Sequence, residues 1–245
     1  MPQPQAVRAG WRLALYPDAG EAGGSFRGLD RPPSNGGGWW EPEEPGRALA
    51  EAERRARAKV RRYCAANGLN RLGTLTYRGE GEHDPRAVRA DIRRFFKGLR
   101  RGLGGDPFPY LWVPELHAQG HGWHIHFAVG RYVRRGLIEP AWGEGFVHIK
   151  RLQGGPVGSG LRGESRAAAR YVSKYLGKDI GRGGGLNRYD LAQGFQPKTE
   201  PIVAPTETEV IAQAVERMGE RPAYVWRSIN QDGWRGPRAV SLRWR

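Results

Sequence analysis

The sequence predicts an α+β fold in which an antiparallel sheet carries helices on one face. Short segments such as 122–129 (GWHIHFAV) alternate between polar and apolar residues, which is typical of strands. The segment 84–101 (DPRAVRADIRRFFKGLRR) instead repeats apolar residues every three or four positions, as an amphipathic helix does. Strands and helices follow in the order β-α-β-β-α-β-α. That order indicates a split βαβ, ferredoxin-like arrangement with additions at both ends.

One helix precedes this series, and the series itself begins with a strand and a second helix. The segment 47–66 (RALAEAERRARAKVRRYCAA) consists of strong helix formers and is followed by an Asn-Gly stop signal. A strand is predicted over 70–77 (NRLGTLTY), which is rich in Leu and Thr. Asp84 and Pro85 suit the N-cap and the first turn of the next helix. Its apolar stripe faces the core and consists of Val88, Ile92, Phe95, Phe96 and Leu99.

The second half begins with a predicted hairpin. Strands over 109–117 (PYLWVPELH) and 122–129 are separated by a tight turn. A short helix over 133–142 and a fourth strand over 145–150 (GFVHIK) come next. A glycine-rich loop then leads to a last helix over 164–178 (ESRAAARYVSKYLGK).

The chain is predicted to have three parts. It contains 37 glycines and 18 prolines, and many of them fall in residues 1–46, which have no sustained period. We therefore expect 1–46 to be irregular. Residues 47–199 form the core, and 200–245 add a helix and a hairpin that pack on it.

Composition narrows the function to an acidic partner. The formal net charge is +15, and most of the cations are arginines, whose planar fork suits phosphate. Because Cys64 is the single cysteine of the sequence, intramolecular disulfides and zinc-finger ligand sets are excluded. No P-loop motif is present, so no nucleotide cofactor is expected. Since no secretory leader and no apolar run long enough for a bilayer occur, we expect a cytoplasmic protein without membrane contact.

The segment 115–126 (ELHAQGHGWHIH) carries the first chemical signal. His124 and His126 are two residues apart on a strand, so their imidazoles lie on the same face. Glu115 lies on the preceding strand and can reach that face, and His117 shares its parity and is the alternative third ligand. Two histidines and a carboxylate leave coordination positions open and admit Mg²⁺ or Mn²⁺. The competing interpretation is a pair of hydrogen-bonded structural histidines.

A second signal lies in the last helix of the series. Tyr171 and Tyr175 are four residues apart and therefore share a face of the helix. Lys174 and Lys178 have the same spacing on a neighbouring stripe, where they could bind phosphate. A tyrosine pair at this spacing is also common in cores. A metal that polarises a phosphodiester and a tyrosine that attacks it would explain both signals together.

Three ordered motifs carry a family resemblance: LGTLTY (72–77), His124-Ile125-His126 and YVSKYLGK (171–178). The sequence resembles rolling-circle replication initiators of the HUH endonuclease superfamily, in particular those with two tyrosines. The resemblance implies the HUH nuclease fold and site-specific nicking and joining of single-stranded DNA. A tyrosine becomes linked to the 5′ phosphate, and a free 3′-OH primes synthesis.

The resemblance also implies roles for individual residues. Glu115, His124 and His126 would be metal ligands, with His117 still open as a substitute for Glu115. Tyr171 would be the first nucleophile, because it precedes a lysine with the Tyr-x-x-Lys spacing, and Tyr175 the second. Their order of action stays open. Lys174 would contact the scissile phosphate.

The expected partners are single-stranded DNA, in particular an origin hairpin, and a host helicase and polymerase, because the chain carries no helicase motif. The predicted further DNA contacts are Lys178, Arg170 and Trp123, although core packing is the favoured interpretation of Trp123. Two alternatives stay open. A two-tyrosine transposase or mobilisation relaxase would use nearly the same chemistry, whereas a non-catalytic ferredoxin-like nucleic-acid-binding module would use none.

Overall fold

The computed structural model describes residues 9–28, 45–117, 120–152, 160–176, 186–234 and 236–245. The chain divides into two compact units. Unit 1 comprises Met1–Ala48 and Pro197–Arg245, and unit 2 comprises Leu49–Gln196. Among the described residues, no helix combines the length and the apolar character that crossing a bilayer requires.

Ten strands and five α-helices make up the described chain. The strands are β1 (Gly10–Tyr16), β2 (Glu21–Arg27), β3 (Arg71–Tyr77), β4 (Tyr110–Leu116), β5 (Trp123–Val129), β6 (Gly145–Arg151), β7 (Asp190–Leu191), β8 (Glu200–Ala204), β9 (Tyr224–Arg227) and β10 (Ala239–Arg243). The helices are α1 (Pro45–Ala66), α2 (Pro85–Gly102), α3 (Arg135–Trp142), α4 (Gly160–Ser173) and α5 (Glu207–Met218). Two 3₁₀ helices, Pro17–Ala19 and Ser228–Asn230, connect strands.

Unit 2 is built on a five-stranded antiparallel sheet with the order β6-β3-β5-β4-β7. Without the short edge strand β7, the four remaining strands have the 4-1-3-2 order of a split βαβ fold. The helices α2 and α3 fall between the strands as predicted. The prediction of an α+β fold with an antiparallel, ferredoxin-like sheet is thus confirmed.

One face of this sheet is packed entirely with apolar side chains. The predicted stripe of α2 is buried, and it contacts Ile125 and Phe127 of β5 and residues of α3. Gly73 of β3 lies under the Phe127 ring, and a Cβ at this position would come within 2.1 Å of ring atoms. A residue without a side chain is therefore required where β3 and β5 pair. We refer to this surface as the apolar face.

The opposite face is covered by two further helices. Val60 and Tyr63 of α1 and Ala168 and Val172 of α4 are buried in a second apolar cluster together with residues of β3, β4 and β5. The expectation of helices on one face therefore holds for α2 and α3 only. The helices α1 and α4 flank the split βαβ unit in sequence. They pack on the other face because α2 and α3 leave it uncovered, and there their apolar sides are buried.

Unit 1 forms its own sheet, with the order β8-β1-β2-β10-β9. Its core contains Trp11, Leu13 and Leu15 of β1 together with residues of α5, β8 and β10. The prediction that 1–46 is irregular is thus wrong for β1 and β2; residues 1–8 and 29–44 lie outside the described residues. In β2, Gly24 is required by close strand packing, because a Cβ there would come within 1.9 Å of the Arg12 carbonyl oxygen.

The predicted C-terminal helix and hairpin are α5 and the β9–β10 pair. The hairpin, however, joins the N-terminal strands in unit 1 through pairing of β10 with β2. The three-part division is therefore replaced by two units, and the boundaries of the predicted core, 47–199, move to Leu49–Gln196. Sequence periodicity could not reveal this pairing, because it joins strands from distant parts of the chain.

Candidate active site

The pairing of β3, β4 and β5 sets the candidate site. Glu115 lies directly opposite His124, and Thr74 lies directly opposite His126. Residues opposite each other in an antiparallel pair share a face, and so do residues two apart on one strand. The sheet therefore brings Thr74, Glu115, His124 and His126 to the face that α4 also covers, as the spacing of the histidines predicts.

His126 is the best-anchored member of this group. Its side chain is only 8% exposed. It donates a hydrogen bond from Nε2 to Glu115 Oε2 (2.7 Å), and the Thr74 hydroxyl lies 3.1 Å from Nδ1, where it can donate to that nitrogen. Both ring nitrogens thus have polar partners, which satisfies a histidine at this depth. The two partners also fix the orientation of the ring.

His124 lies in a small cluster of imidazoles. Its ring centre is 4.7 Å from that of His117, which in turn is 5.3 Å from that of His121. Burial, reinforced by the positive charge that His117 and His126 can carry, lowers the pKa of His124, whereas Glu115 opposes this effect. His124 is therefore neutral at ordinary pH. A neutral imidazole is the form that binds metal.

One of the two tyrosines of the sequence motif lies directly on His126, and the other contacts its partner tyrosine. The Tyr175 ring stacks on the His126 ring, with 3.7 Å between the ring centres and 14° between the planes. The Tyr175 hydroxyl donates to the Tyr171 hydroxyl at 3.4 Å. Tyr171 belongs to α4, whereas Tyr175 lies in a tighter turn beyond it, where its N–H donates to the Val172 carbonyl (3.0 Å). The predicted helix over 164–178 therefore ends at Ser173.

The surroundings make the two tyrosines unequal. The ammonium groups of Lys174 and Lys150 lie 5.3 Å and 5.5 Å from the centre of the Tyr171 ring. Two cations at this range can also bind an anion that approaches Tyr171. For Tyr175, burial, the hydrogen bond to Tyr171 and the electrostatic effects of Tyr171 and Glu115 raise the pKa above that of an ordinary phenol.

The donor set has the chemistry of a divalent metal site but not yet its geometry. A carboxylate and two imidazoles on one face suit such an ion. Within the described part of the chain, however, no group of three or more His, Cys, Asp or Glu side chains is arranged to hold one. The Glu115 carboxylate and His126 Nε2 bind each other instead. Metal binding through Nε2 would require them to separate and the His126 ring to carry its proton on Nδ1, which would then donate a hydrogen bond to Thr74 Oγ1.

Comparison with known protein families gives one match. Residues 70–180 match the family model for replication-associated protein ORF2/G2P. That family consists of rolling-circle replication initiators, and the match associates this part of the chain with DNA replication. No curated protein and no solved structure matches the chain significantly.

The match confirms the resemblance at the level of a replication-initiator family. It spans less than half of the chain but includes the whole of β3, β4, β5 and α4, so both chemical signals lie within it. The assignment to the HUH superfamily and the functional use of two tyrosines stay predictions.

Not all of the predicted site residues meet at this place. Six of them are joined by one series of contacts: Glu115, His124, His126, Tyr171, Tyr175 and Lys174. His117, the alternative third ligand, lies beside His124. Both candidates for the third position are therefore near the pair, and the Glu115 carboxylate contacts a nitrogen of His126.

The three predicted DNA contacts have different outcomes. Trp123 is buried in the apolar face at 2% exposure, and its indole N–H donates to the His83 carbonyl (3.3 Å). Its position on β5 has the parity of Ile125, so it packs in the core and is not available to stack on a base, which corrects the prediction. Arg170 is exposed on α4. Lys178 lies outside the described residues.

Two residues near the site were not identified from the sequence. Thr74 contacts His126, and Lys150 lies near Tyr171. Thr74 has the parity of Leu72 in the first motif, so an assumed register with β5 could have suggested it. Lys150 is reached only through the pairing of β6 with β3, which no local pattern specifies.

Proposed function

We propose that the chain nicks and rejoins single-stranded DNA at a specific site to start and end rolling-circle replication of a plasmid, phage or integrative element. One observation carries this proposal. Tyr175 stacks on His126, which contacts the Glu115 carboxylate, and Tyr171 is hydrogen-bonded to Tyr175 with two lysines beside its ring. The family match supports the replication context.

In the proposed reaction, Tyr171 Oη attacks the phosphorus of one phosphodiester. The bond from phosphorus to O3′ breaks, and O3′ leaves as a free hydroxyl that takes up a proton in exchange for the one Tyr171 loses. The downstream fragment stays joined to Tyr171 through its 5′ phosphate, as a phosphodiester. Because the number and kind of phosphate esters are unchanged, the step needs no nucleotide cofactor, and a 3′-OH can reverse it to rejoin the strand.

The inequality of the tyrosines supports Tyr171 as the first nucleophile. The ammonium groups of Lys150 and Lys174 lie beside the Tyr171 ring, where they can bind the attacked phosphate, and the Tyr175 hydroxyl donates a hydrogen bond to the Tyr171 hydroxyl. Tyr175 is held in its protonated form by burial and by this hydrogen bond. In this scheme Tyr175 acts second, in the transfer that closes the circle, while Lys174 also contacts the scissile phosphate.

Glu115, His124 and His126 are the residues proposed to hold a divalent metal, Mg²⁺ or Mn²⁺. When bound, such an ion polarises the phosphate and orients it for attack. The protein's own contribution is to hold His126 between Glu115 and Thr74, so that its ring presents one nitrogen in a fixed direction. The stacked Tyr175 ring shields this histidine from water.

Single-stranded DNA, exposed in an origin hairpin, is the proposed substrate, and Arg170 and Lys178 are proposed to contact it. A host helicase would open the duplex and a host polymerase would extend the 3′-OH. The positive charge of the chain fits a polyanionic partner.

Incubation with single-stranded origin oligonucleotides and Mn²⁺, followed by denaturing electrophoresis, tests the proposal. We expect a protein band shifted by the mass of a DNA fragment. The shifted band should be absent with EDTA and in Tyr171→Phe, and present in Tyr132→Phe, a matched change at an exposed tyrosine of unit 2. Loss only in Tyr175→Phe would keep the chemistry and reverse the order of the tyrosines. Tight binding with no covalent product on any origin or random pool would favour the binding-module alternative.

A further inference from the structure

A cavity of about 230 Å³ lies between α1 and α4, next to the candidate active site. Its walls are formed by Arg57 and Arg61 of α1 and by residues 169–174 of α4 and the turn that follows it. The lining residues from this second wall are Ala169, Arg170, Ser173 and Lys174. The cavity thus opens between a helix that carries the candidate nucleophile and a helix that lies outside the segment matching the replication family.

The walls are strongly cationic. Four of the six lining side chains are arginine or lysine, and among the described residues no acidic side chain lines the cavity. Arg57 pairs with Glu53 on the preceding turn of α1 and keeps a side chain that is 53% exposed. Arg57 and Arg61 are four residues apart, and so are Arg170 and Lys174. Like charges at this spacing repel each other, and a bound anion would relieve that repulsion.

The chemistry of the walls suits phosphate. Arginine guanidinium groups bind phosphate oxygens through two parallel hydrogen bonds, and the Ser173 hydroxyl can donate a further one. Ala169, which is buried, gives the cavity a small apolar floor. A single strand is flexible enough to place one of its phosphates in such an open cleft. The fixed phosphate spacing of a duplex is not required for this contact.

Lys174 joins this cavity to the tyrosines. It lines the cavity, and its ammonium group lies 5.3 Å from the centre of the Tyr171 ring. A phosphate in the cavity would therefore be close along a DNA strand to a phosphate placed for attack by Tyr171. The cleft and the nucleophile share one cation.

From these observations we infer that the cleft between α1 and α4 binds a backbone phosphate of the single-stranded DNA next to the scissile phosphate. This inference rests on the proposed function for the choice of DNA as the ligand. In this view α1 is part of the substrate-binding surface, although it precedes the family-matched segment. Arg57, Arg61 and Arg170 hold the strand, and Lys174 lies between the held phosphate and the attacked one.

Equilibrium binding of a fluorescent single-stranded oligonucleotide at several salt concentrations tests this inference. All variants are made in the full chain with Tyr171→Phe, so that no strand is cut during the titration. The cleft variant combines Arg57→Gln, Arg61→Gln and Arg170→Gln. The control combines Arg86→Gln, Arg93→Gln and Arg101→Gln on α2, which packs on the apolar face and also exposes these three arginines.

We expect the cleft variant to bind at least about tenfold more weakly at low salt than the control. The slope of log affinity against log salt should become shallower by about 0.7, which is the contribution of one phosphate contact on a single strand. Without DNA, the unfolding temperature of the cleft variant should change little, since the lost exposed ion pair of Arg57 with Glu53 and the relieved repulsion between like charges are both small effects. Equal affinities and equal slopes for the cleft and control variants would overturn the inference.

The same substitutions in the chain with Tyr171 intact separate this inference from the proposed function. If covalent product forms but the cleft variant binds and reacts like the control, the cleft is not the binding site and the nuclease proposal stands. If the cleft variant loses binding while no chain forms covalent product, the cleft binds DNA and the nuclease proposal fails.

Discussion

The two faces of the sheet in unit 2 differ in function although the same strands form both of them: one is part of the core and the other carries the candidate site. On the apolar face, Ile125 and Phe127 of β5 are buried against α2 and α3. On the opposite face, His124 and His126 of the same strand contact His117, Glu115 and Thr74. The comparison teaches that a strand with period two can carry a core and a site at once, because neighbouring residues never compete for one side.

The second face is itself divided along the strands. At one end, Leu72, Leu111 and Ala128 join the apolar cluster under α1 and α4. At the other end the strands present polar side chains, and these satisfy one another, as His126 does with Glu115 and Thr74. A buried polar group without partners is costly, so the polar end is restricted to residues that can pair. Stability and chemistry are therefore separable by substitution.

The largest effect on stability should come from the apolar face. Phe95→Ala removes a ring that is fully buried and packs edge-on against Phe96, Phe127 and Trp142. We expect the free energy of unfolding to fall by about 3–5 kcal/mol. Urea denaturation followed by circular dichroism measures this change. A loss of less than about 1 kcal/mol would mean that α2 contributes little to the fold.

On the polar side of the comparison, His126→Gln should affect chemistry far more than stability. The glutamine keeps polar contacts with Glu115 and Thr74 but does not provide an imidazole. Under the proposed function, the rate of covalent product formation should fall by at least about a hundredfold, as expected for losing a metal ligand or its orientation. His83→Gln, a change at an exposed loop histidine, is the control. A slowed reaction in both variants, or in neither, would contradict the assignment.

Gly73→Ala tests how much the stability of the chain depends on the close approach of β3 to the Phe127 ring. The added methyl group would meet the Phe127 ring, and overpacking of this kind costs about 1–3 kcal/mol of unfolding free energy. Gly136→Ala in α3 is the matched control, because its Cβ would meet no atom within 4 Å. Alanine at this helical position should stabilise the chain by up to about 1 kcal/mol. Thermal unfolding should therefore move in opposite directions in the two variants.

The smallest expected effect is a loss of stability in acid that is caused by His124. In the folded chain the pKa of His124 is lowered by burial and by His117, His126 and His121, while Glu115 acts in the opposite direction. The unfolded chain takes up a proton near pH 6.5, so the free energy of unfolding should be highest above that pH and fall as pH drops below it. In His124→Gln this fall should be shallower. Urea denaturation at a series of pH values measures both slopes, and equal slopes would refute the assignment.

Much of unit 2 could be predicted from the sequence, because local patterns specify it. The stripe of α2, the alternation of β5 and the hairpin of β4 and β5 each leave a periodic signal, and the structure contains all three. The shared face of His124 and His126 follows from the same period. The cover of the second face by α1 and α4 left no comparable signal, because a helix stripe shows that it is buried but not on which face.

The missing parts of the prediction depend on pairing between distant segments. The strand β1 has an alternating pattern in Trp11, Leu13 and Leu15, but its partner β2 is glycine-rich and has no periodic signal. The place of Lys150 near Tyr171 needs the register of β6 with β3. The tightened turn that carries Tyr175 beyond α4 likewise has no signature in a sequence rich in helix formers.

The order of strands in unit 1 has a consequence for how the chain is made. The strands β1 and β2 leave the ribosome before unit 2, yet β8 and β10, which pair with their outer edges, are encoded only after the whole of unit 2. Because contacts between distant segments form slowly, unit 2 can fold during synthesis while the hairpin of β1 and β2 still lacks β8 and β10. A chain that stalls after unit 2 would carry a two-stranded hairpin with both outer edges unpaired, and such exposed strand edges are prone to aggregate.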